Sequence, residues 1–168
     1  NSHPIEQEVK DPAEIGQLFD AISYSKGGSV LRMLERFVGA DAFQRGLKRY
    51  LTRHEYANAR THDLWDALGE ASGQPVAAMM DTWVNQTGYP VLNAEVGRAE
   101  AGTVVTATQR RFLYERVADP TKADATLWHI PLGVTSSAGS DPSPVLMEDR
   151  ETSLHLASDV AAEEGWVK

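Results

Sequence analysis

The chain has 168 residues, no cysteine and a formal net charge of −8 at neutral pH. This length suits one large domain or two small ones, and the absence of cysteine excludes disulfides, thiolate zinc sites and cysteine nucleophiles. The acidic balance argues against nucleic-acid and anionic-membrane partners, and no segment approaches the roughly 18 apolar residues of a membrane span.

The first half of the sequence predicts five short helices joined by short connections. The first begins with an N-cap aspartate, a proline suited to the first helical position and a glutamate that completes a capping box. Two later helices are predicted to end at glycines, which tolerate the left-handed conformation of a helix C-terminus. The signals are Asp11, Pro12 and Glu14 for the first start, Asp41, Thr61 and Pro75 for three later starts, and Gly39 and Gly73 for the two ends.

Each predicted helix also carries apolar side chains at helical spacing, which indicates one buried face per helix. The five sets are Ile15, Leu18, Phe19 and Ile22; Val30, Leu31, Leu34, Phe37 and Val38; Phe43, Leu47, Tyr50 and Leu51; Leu64, Trp65 and Leu68; and Val76, Met79, Met80 and Trp83.

After Pro90 the pattern changes from helical spacing to short segments rich in β-branched residues. Clusters of Gly, Pro, Asp and Ser separate these segments, which is typical of a small antiparallel β-sandwich. The last residues, 165–168, resemble the start of a further strand. The other predicted strands are Val91–Val96, Thr103–Thr108, Phe112–Tyr114, Thr126–Thr135, Val145–Glu148 and Ser153–Leu156.

Together these patterns predict an α+β fold with two domains. Residues 1–89 form an all-helical lobe, and residues 90–168 form the β-sandwich, which we expect to be truncated at its C-terminal end. No signal peptide is visible and the first residue is Asn1 rather than methionine. We therefore expect the chain to be a piece of a longer protein.

Histidines are the first candidates for metal chemistry. His54 and Glu55 begin like the zinc-binding motif H-E-x-x-H, but Asn58 stands where the second histidine is needed to place two ring nitrogens on one metal. The other histidines outside the N-terminal segment lie at no usual ligand spacing, so we expect no zinc site within this chain. They are His62, His129 and His155.

Three further motifs are better explained by structure than by function. Asn85-Gln86-Thr87 matches a glycosylation sequon, a triplet that often arises by chance. The Trp65, Met79, Met80 and Trp83 set could line a ligand pocket, but its helical spacing favours a core. Arg110-Arg111 is interpreted as a surface pair on a strand or turn.

The segment Tyr24-Ser25-Lys26-Gly27-Gly28 is an unusual way to begin a helix. In one interpretation Tyr24 packs at the start of the helix while Gly27 and Gly28 allow another backbone to cross closely. In the other, the glycines let the helix start lie against a substrate, and Tyr24 presents its hydroxyl as a neutral donor to an oxyanion. The local pattern leaves both open.

Longer segments resemble the zinc aminopeptidases of the aminopeptidase N and puromycin-sensitive aminopeptidase family. They are "SHPIEQEVKDPAEIGQLFDAISYSKGGSVLRMLERFVG", "FQRGLKRYLTRHEYANARTHDLWDAL" and "SGQPVAAMMDTWVNQTGYPVL", the last with Trp83, Gln86, Gly88, Tyr89 and Pro90. The resemblance is dense from Ser2 to about Leu92 and sparser beyond, where "LWHIPL" and "GWVK" also fit.

This resemblance implies a role for each half of the chain. Residues 1–89 correspond to the last helices of a thermolysin-like catalytic domain, and 90–168 to the β-sandwich that follows it. In the family the zinc motif, a further glutamate ligand and the G-x-M-E-N motif for the substrate amine lie upstream, and none is present here. The resemblance thus implies zinc in the full-length enzyme, no zinc in this chain, and peptides as substrates.

The resemblance also assigns Tyr24, which matches the tyrosine of the family motif Y-x-K-G. That tyrosine directs its hydroxyl at the tetrahedral intermediate of peptide hydrolysis, so Tyr24 is the expected catalytic residue. Lys26, Gly27 and Gly28 are expected to shape the turn and the helix packing. We expect the chain alone to be inactive, and to be able to self-associate through the face that truncation exposes.

Two alternative functions remain open from the sequence. The chain could be a non-catalytic scaffold or protein-interaction module that kept the family fold, although retention of Tyr24 favours the enzyme. A free-standing β-sandwich binding module is the weaker alternative, because the helical half carries the more specific motifs. The absence of cysteine and of a visible export signal leads us to expect a cytoplasmic location.

Overall fold

The computed structural model describes residues 3–99, 102–113, 124–136, 139–140 and 144–156. Contacts divide the chain into two compact units, Asn1–Thr87 and Gly88–Lys168. The described part of the first unit is helical and that of the second consists of antiparallel strands, which confirms the predicted α+β class. The interrupted strand expected at residues 165–168 lies outside the described residues.

The described residues of the helical unit form four α-helices, preceded by a 3₁₀-helix and a π-helix. The 3₁₀-helix is Pro12–Leu18 and the π-helix is Ile22–Lys26. The α-helices are α1 (Gly27–Val38), α2 (Ala40–Arg53), α3 (Thr61–Ser72) and α4 (Val76–Val84).

The first predicted helix is present, but it is a 3₁₀-helix rather than an α-helix, and its predicted apolar face is only partly buried. Asp11 is its N-cap and accepts a hydrogen bond from the backbone N–H of Ala13 at 2.8 Å, as its position predicted. The helix then ends at Leu18, and Ile15 and Phe19 are exposed. The predicted apolar face is therefore wrong at Ile15 and Phe19, because the chain breaks where Asp20 bonds the next turn, at the N–H of Ser23, whereas Leu18 and Ile22 are half-buried.

Helix α1 agrees with its predicted face at Val30, Leu34 and Phe37, which are buried, whereas Leu31 is partly exposed. Gly39 ends the helix with a φ of 83°, a conformation that favours glycine. The expected cap Asp41 lies inside α2 instead, because α2 begins directly at Ala40.

The prediction for the buried face of α2 is wrong at its two leucines, while Phe43 and Tyr50 are half-buried. Leu47 and Leu51 are 36% and 60% exposed, and the buried residues are Ala42 and Gly46. A Cβ atom on Gly46 would lie 2.8 Å from Cδ2 and 2.9 Å from Cα of Leu68. Helix α2 thus packs through its small side chains, since only glycine permits this approach to α3.

Helices α3 and α4 supply the rest of the helical core. Their buried residues include Trp65, Leu68, Met79 and Met80, which agrees with the core interpretation of the Trp and Met set except at Trp83, which is half-buried. Trp65 and Met80 also line a cavity, so both interpretations of the set hold in part. The N-cap of α3 is Arg60, and the predicted cap Thr61 is instead the first helical residue. Pro75, the predicted first residue of α4, is instead its N-cap. Gly73 ends α3 in the left-handed conformation, as predicted.

The β-rich unit contains three small antiparallel sheets among its described residues, with strand orders β1-β2-β7, β3-β6 and β4-β5. In the pairing of β1 with β2, Pro90 lies opposite Arg111 and Ala99 lies opposite Gly102. In the pairing of β2 with β7, Thr103 lies opposite Leu156 and Thr108 lies opposite Glu151. The strands are β1 (Pro90–Ala99), β2 (Gly102–Arg111), β3 (Ile130–Leu132), β4 (Thr135–Ser136), β5 (Gly139–Ser140), β6 (Val145–Met147) and β7 (Glu151–Leu156).

Two predicted strands differ from the structure. The strand expected at Thr126–Thr135 begins only at Ile130, because Gln109 bonds the backbone of Trp128 in place of a neighbouring strand. The strand expected at Phe112–Tyr114 is absent at its described residues, since Phe112 prolongs the β1–β2 pairing by donating to the carbonyl of Tyr89 at 3.0 Å. Tyr114 lies outside the described residues.

The buried amide of Gln109 organises the core of the β-rich unit. Its side chain is 2% exposed and makes three hydrogen bonds of 2.9 Å, donating to the carbonyls of Trp128 and Asp149 and accepting from the N–H of Trp128. A second part of the core joins the sheets through apolar residues of β2, β7 and the β3 segment, namely Val105, Val134, Leu154, Leu156 and Leu132.

Candidate functional site

Tyr24 lies in the π-helix Ile22–Lys26, directly before α1. Its side chain is 67% exposed. Within the described part of the chain, its closest ring neighbour is Phe19, with a centroid distance of 6.4 Å. A π-turn widens the helix by one residue and is frequent at functional sites. Sequence reasoning selected Tyr24 but missed this turn, because no spacing rule distinguishes a π-turn from an α-turn.

The cavity beside Tyr24 has a volume of about 740 Å³ and lies entirely within the helical unit. Most of its lining is apolar and includes the exposed Leu31. The exposed Phe19 ring lies next to that of Tyr24. The lining residues that matter here are Tyr24, Gly27, Gly28, Leu31, Leu64 and Trp65.

The two glycines face open space rather than another backbone. A Cβ atom on Gly27 or on Gly28 would meet nothing within 4 Å in the described structure. The close backbone crossing considered from the sequence is therefore wrong for the described residues. What these glycines do is leave the cavity wall beside Tyr24 free of side chains.

Lys26 has a structural partner. Its Nζ donates to the backbone carbonyl of Gln86 at 2.9 Å, which ties the start of α1 to the segment after α4. This contact agrees with the expectation that Lys26 shapes the packing of this helix. It also gives Gln86, in the middle of the sequon triplet, a role in the fold.

The turn before Tyr24 is fixed by Asp20 and His3. One Asp20 carboxylate oxygen accepts from the N–H of Ser23 at 2.8 Å, and the other lies 2.6 Å from Nε2 of His3. The Asp20 carbonyl accepts from the N–H of Tyr24 at 3.1 Å. Asp20 therefore joins the N-terminal segment to the first turn of the π-helix.

Both members of this pair have shifted pKa values. The Ser23 N–H, followed by the His3 side chain, lowers the pKa of Asp20 to about 2. The pKa of His3 is raised, first by the hydrogen bond to the Pro4 carbonyl and then by that to Asp20. These shifts favour the charged pair, because hydrogen bonds to a charged form stabilise it.

The described histidines do not assemble into a metal site. Within residues 3–99, 102–113, 124–136, 139–140 and 144–156, no three His, Cys, Asp or Glu side chains lie close enough to hold a metal ion. Several histidines instead each approach one carboxylate, at 3.9 Å for His54 and Asp63 and 3.7 Å for His62 and Asp81. His129 similarly lies 3.8 Å from Glu148.

No helix in the described residues combines the length and the apolar character needed to cross a membrane.

Comparison with protein families gives a match to the Peptidase family M1 domain over residues 1–83. These residues include Tyr24 and the helices that surround it. The match ends just before the C-terminus of α4.

Individual relatives extend the similarity into the β-rich unit. Aminopeptidase 2 of Candida albicans is 44% identical over 156 residues, which cover 92% of this chain and 16% of the relative. Tricorn protease-interacting factor F2 of Thermoplasma volcanium is 43% identical over 89% of this chain and 18% of the relative. Puromycin-sensitive aminopeptidase of Caenorhabditis elegans is 39% identical over the whole chain and 17% of the relative. The chain thus spans about a sixth of the length of these relatives.

Proposed function

We propose, from the premise that this chain belongs to peptidase family M1, that it is part of an aminopeptidase, an enzyme that removes the N-terminal residue of a peptide. The observation that carries the proposal is the position of Tyr24, which is exposed beside an apolar cavity within the segment that the family model matches. Relatives named aminopeptidase, which align over most or all of this chain, support the same activity.

Tyr24 contributes a hydrogen-bond donor to this reaction. In peptide hydrolysis a water oxygen adds to the carbonyl carbon, the carbonyl oxygen becomes an oxyanion, and the C–N bond then breaks as the amine takes up a proton. A tyrosine hydroxyl can donate to that oxyanion. Because the negative charge develops only as water adds, such a donor stabilises the transition state more than the bound peptide.

The family resemblance implies a zinc ion, which in hydrolases activates water and polarises the carbonyl. The described residues of this chain bring no three metal-binding side chains together, so they do not fit a zinc site by themselves. We place the zinc ligands in the part of the longer protein that this chain does not span. The role proposed for Tyr24 requires only an oxyanion within reach of its hydroxyl.

Peptides with a free amino terminus are the proposed substrates, and the cytoplasm is the proposed location. The names of the aminopeptidase relatives support the first of these. The second follows the composition, since the 168 residues contain no cysteine.

The test is steady-state kinetics of the longer enzyme with a small aminoacyl substrate. Tyr24→Phe should lower kcat about 10²–10³-fold with little change in KM, because one oxyanion donor is lost. Tyr56→Phe is the matched control, since Tyr56 is fully exposed on the turn after α2. Lys26→Met should lower kcat far less, because Lys26 bonds a backbone carbonyl. Near-normal kcat in Tyr24→Phe would show that the assignment is wrong.

A protein-interaction function is the second candidate, favoured by the relative named as an interacting factor of the tricorn protease. If the longer protein were only such a module, wild type itself would show no aminoacyl hydrolysis above a blank. The same kinetic experiment therefore separates the two candidates before any variant is compared.

A further inference from the structure

We propose that His3 and Asp20 are positioning residues, which form a clasp that fixes the direction of the Tyr24 side chain. The inference rests on the proposed function, since it concerns how the donor at Tyr24 is held. Neither residue contacts a reacting atom. Their effect is transmitted through the turn that precedes Tyr24.

The first argument is that Asp20 bonds the turn at two successive residues. Its side chain accepts from the N–H of Ser23 at 2.8 Å and its carbonyl accepts from the N–H of Tyr24 at 3.1 Å. The remaining carboxylate oxygen is held by His3 at 2.6 Å. Rotation of Asp20 away from Ser23 would therefore break the contact with His3 as well, so the turn is braced from two sides.

The second argument is that the clasp is anchored to the body of the helical unit. The N-terminal segment that carries His3 is tied down where the N–H of Glu6 donates to the carbonyl of Val84 at 2.9 Å. On the other flank of Tyr24, Lys26 donates to the carbonyl of Gln86 at 2.9 Å. Both flanks of the Tyr24 turn are thus connected to the same segment, the end of α4.

The third argument is that little else holds the Tyr24 side chain. It is 67% exposed, and its described ring contact is with Phe19, which is itself exposed. The direction of such a side chain follows from its backbone rather than from packing. Oxyanion stabilisation is sensitive to misplacement on the scale of 1 Å, so the bonds that fix the turn set the efficiency of the donor.

The clasp does not depend on one protonation state of His3. A charged His3 donates from Nε2 to Asp20 and from Nδ1 to the Pro4 carbonyl, which lies at 2.7 Å. A neutral His3 with its proton on Nε2 keeps the bond to Asp20 and accepts at Nδ1 from the amide of Gln7 at 2.9 Å. The link between His3 and Asp20 persists in either state, and Lys26 is the other charged group that acts on His3.

The kinetic test is a double-mutant cycle in the longer enzyme. Asp20→Ala should lower kcat about 10-fold with KM nearly unchanged, whereas Asp20→Asn, which keeps an acceptor for Ser23, should recover most of the rate. In a Tyr24→Phe background, Asp20→Ala should lower kcat less than about 2-fold, because the effect passes through the hydroxyl. Equal losses in both backgrounds would assign Asp20 a general structural role and overturn the proposal.

Asp11→Ala is the matched control for this cycle. Asp11 caps the preceding 3₁₀-helix with a bond of the same length, 2.8 Å to the N–H of Ala13, and that bond belongs to a different turn. Its loss should leave kcat within about 2-fold of wild type. A rate loss equal to that of Asp20→Ala would overturn the proposal, since loss of any capping bond near Tyr24 would then lower kcat equally.

A second measurement separates failure of the clasp from failure of the proposed function. Amide hydrogen exchange of the 168-residue chain should be at least about 10-fold faster at Ser23 and Tyr24 in Asp20→Ala and in His3→Ala, and unchanged there in Asp11→Ala. If Tyr24→Phe keeps its kcat while exchange behaves as stated, the proposed function fails and the clasp stands. Unchanged exchange at Ser23 and Tyr24 would overturn the clasp itself.

Discussion

Gln109 in the β-rich unit and Tyr24 in the helical unit are polar side chains with opposite surroundings. Gln109 is buried and has partners for both amide atoms. Tyr24 is mostly exposed beside an apolar cavity. A buried polar group with every bond satisfied stabilises the fold, whereas an exposed phenol beside a cavity is available for a ligand. The comparison indicates that the two units use their polar residues for different purposes.

Removal of the Gln109 amide should have the largest effect on folding. Gln109→Leu leaves the N–H of Trp128 and the carbonyls of Trp128 and Asp149 without their described partner. We expect the free energy of unfolding of the β-rich unit to fall by about 3–5 kcal/mol. Urea unfolding followed by circular dichroism measures this loss. Thr108→Val, on the other face of β2, is the control and should cost less than about 1 kcal/mol.

A loss below about 1 kcal/mol for Gln109→Leu would contradict the structural role of the amide. The contrast between a structural amide at Gln109 and an available hydroxyl at Tyr24 would then no longer hold.

The next largest effect is expected at the contact between α2 and α3. Gly46→Ala places a methyl group 2.8 Å from a carbon of Leu68, which should lower the free energy of unfolding by about 1–3 kcal/mol. Gly28→Ala is the matched control, because its new methyl group meets nothing within 4 Å in the described structure. It should raise stability by about 0.5–1 kcal/mol through helix propensity. The same sign for both substitutions would contradict this account of the packing.

Gly46 also shows where sequence reasoning stops. Apolar spacing predicted that α2 buries Leu47 and Leu51, but the helix buries its smallest side chains and exposes those leucines. The helical spacing of large apolar residues was used to find the buried face. It therefore cannot recognise a helix face whose small side chains allow another helix to approach closely. The same analysis was right at most positions of α1, α3 and α4, where large apolar residues fill the core, but not at the exposed Leu31 or the half-buried Trp83.

The sequence likewise predicted only part of the candidate site. Tyr24 was selected by a sequence motif, and the structure leaves its side chain exposed beside a cavity. Its π-turn was missed because the spacing of apolar residues does not distinguish a π-turn from an α-turn. The clasp of His3 with Asp20 was missed because it joins residues 17 apart, which no local pattern encodes. In the β-rich unit, the bond from Gln109 to Trp128 was missed for the same reason and displaced a predicted strand.

A smaller effect is expected from pH on the stability of the helical unit. The raised pKa of His3 means that its contribution is present below about 6.5 and is lost as pH rises through the folded value. The lowered pKa of Asp20 means that its contribution is present above about 3.8 and is lost as pH falls towards about 2. Stability from the pair is thus greatest between these limits.

The loss of stability at alkaline pH separates His3 from the carboxylates. The lowered pKa of Glu70 beside Arg53 contributes only to the loss of stability at acid pH. Urea midpoints of the chain near pH 6 and near pH 9 should differ more for wild type than for His3→Gln. Asp20 and Lys26 are the charged groups that act on His3, and both are retained in this variant. An identical pH dependence in the two proteins would show that protonation of His3 contributes nothing to stability.

The smallest effect on folding is expected at Tyr24, and its measurement tests the central claim that the hydroxyl is kept for chemistry rather than for the fold. We predict that urea unfolding of the 168-residue chain will show a change of less than about 0.5 kcal/mol for Tyr24→Phe, because the side chain is mostly exposed and the described residues give its hydroxyl no buried partner. A loss above about 1.5 kcal/mol, the range of a buried hydrogen bond, would contradict the account and make Tyr24 a structural residue like Gln109.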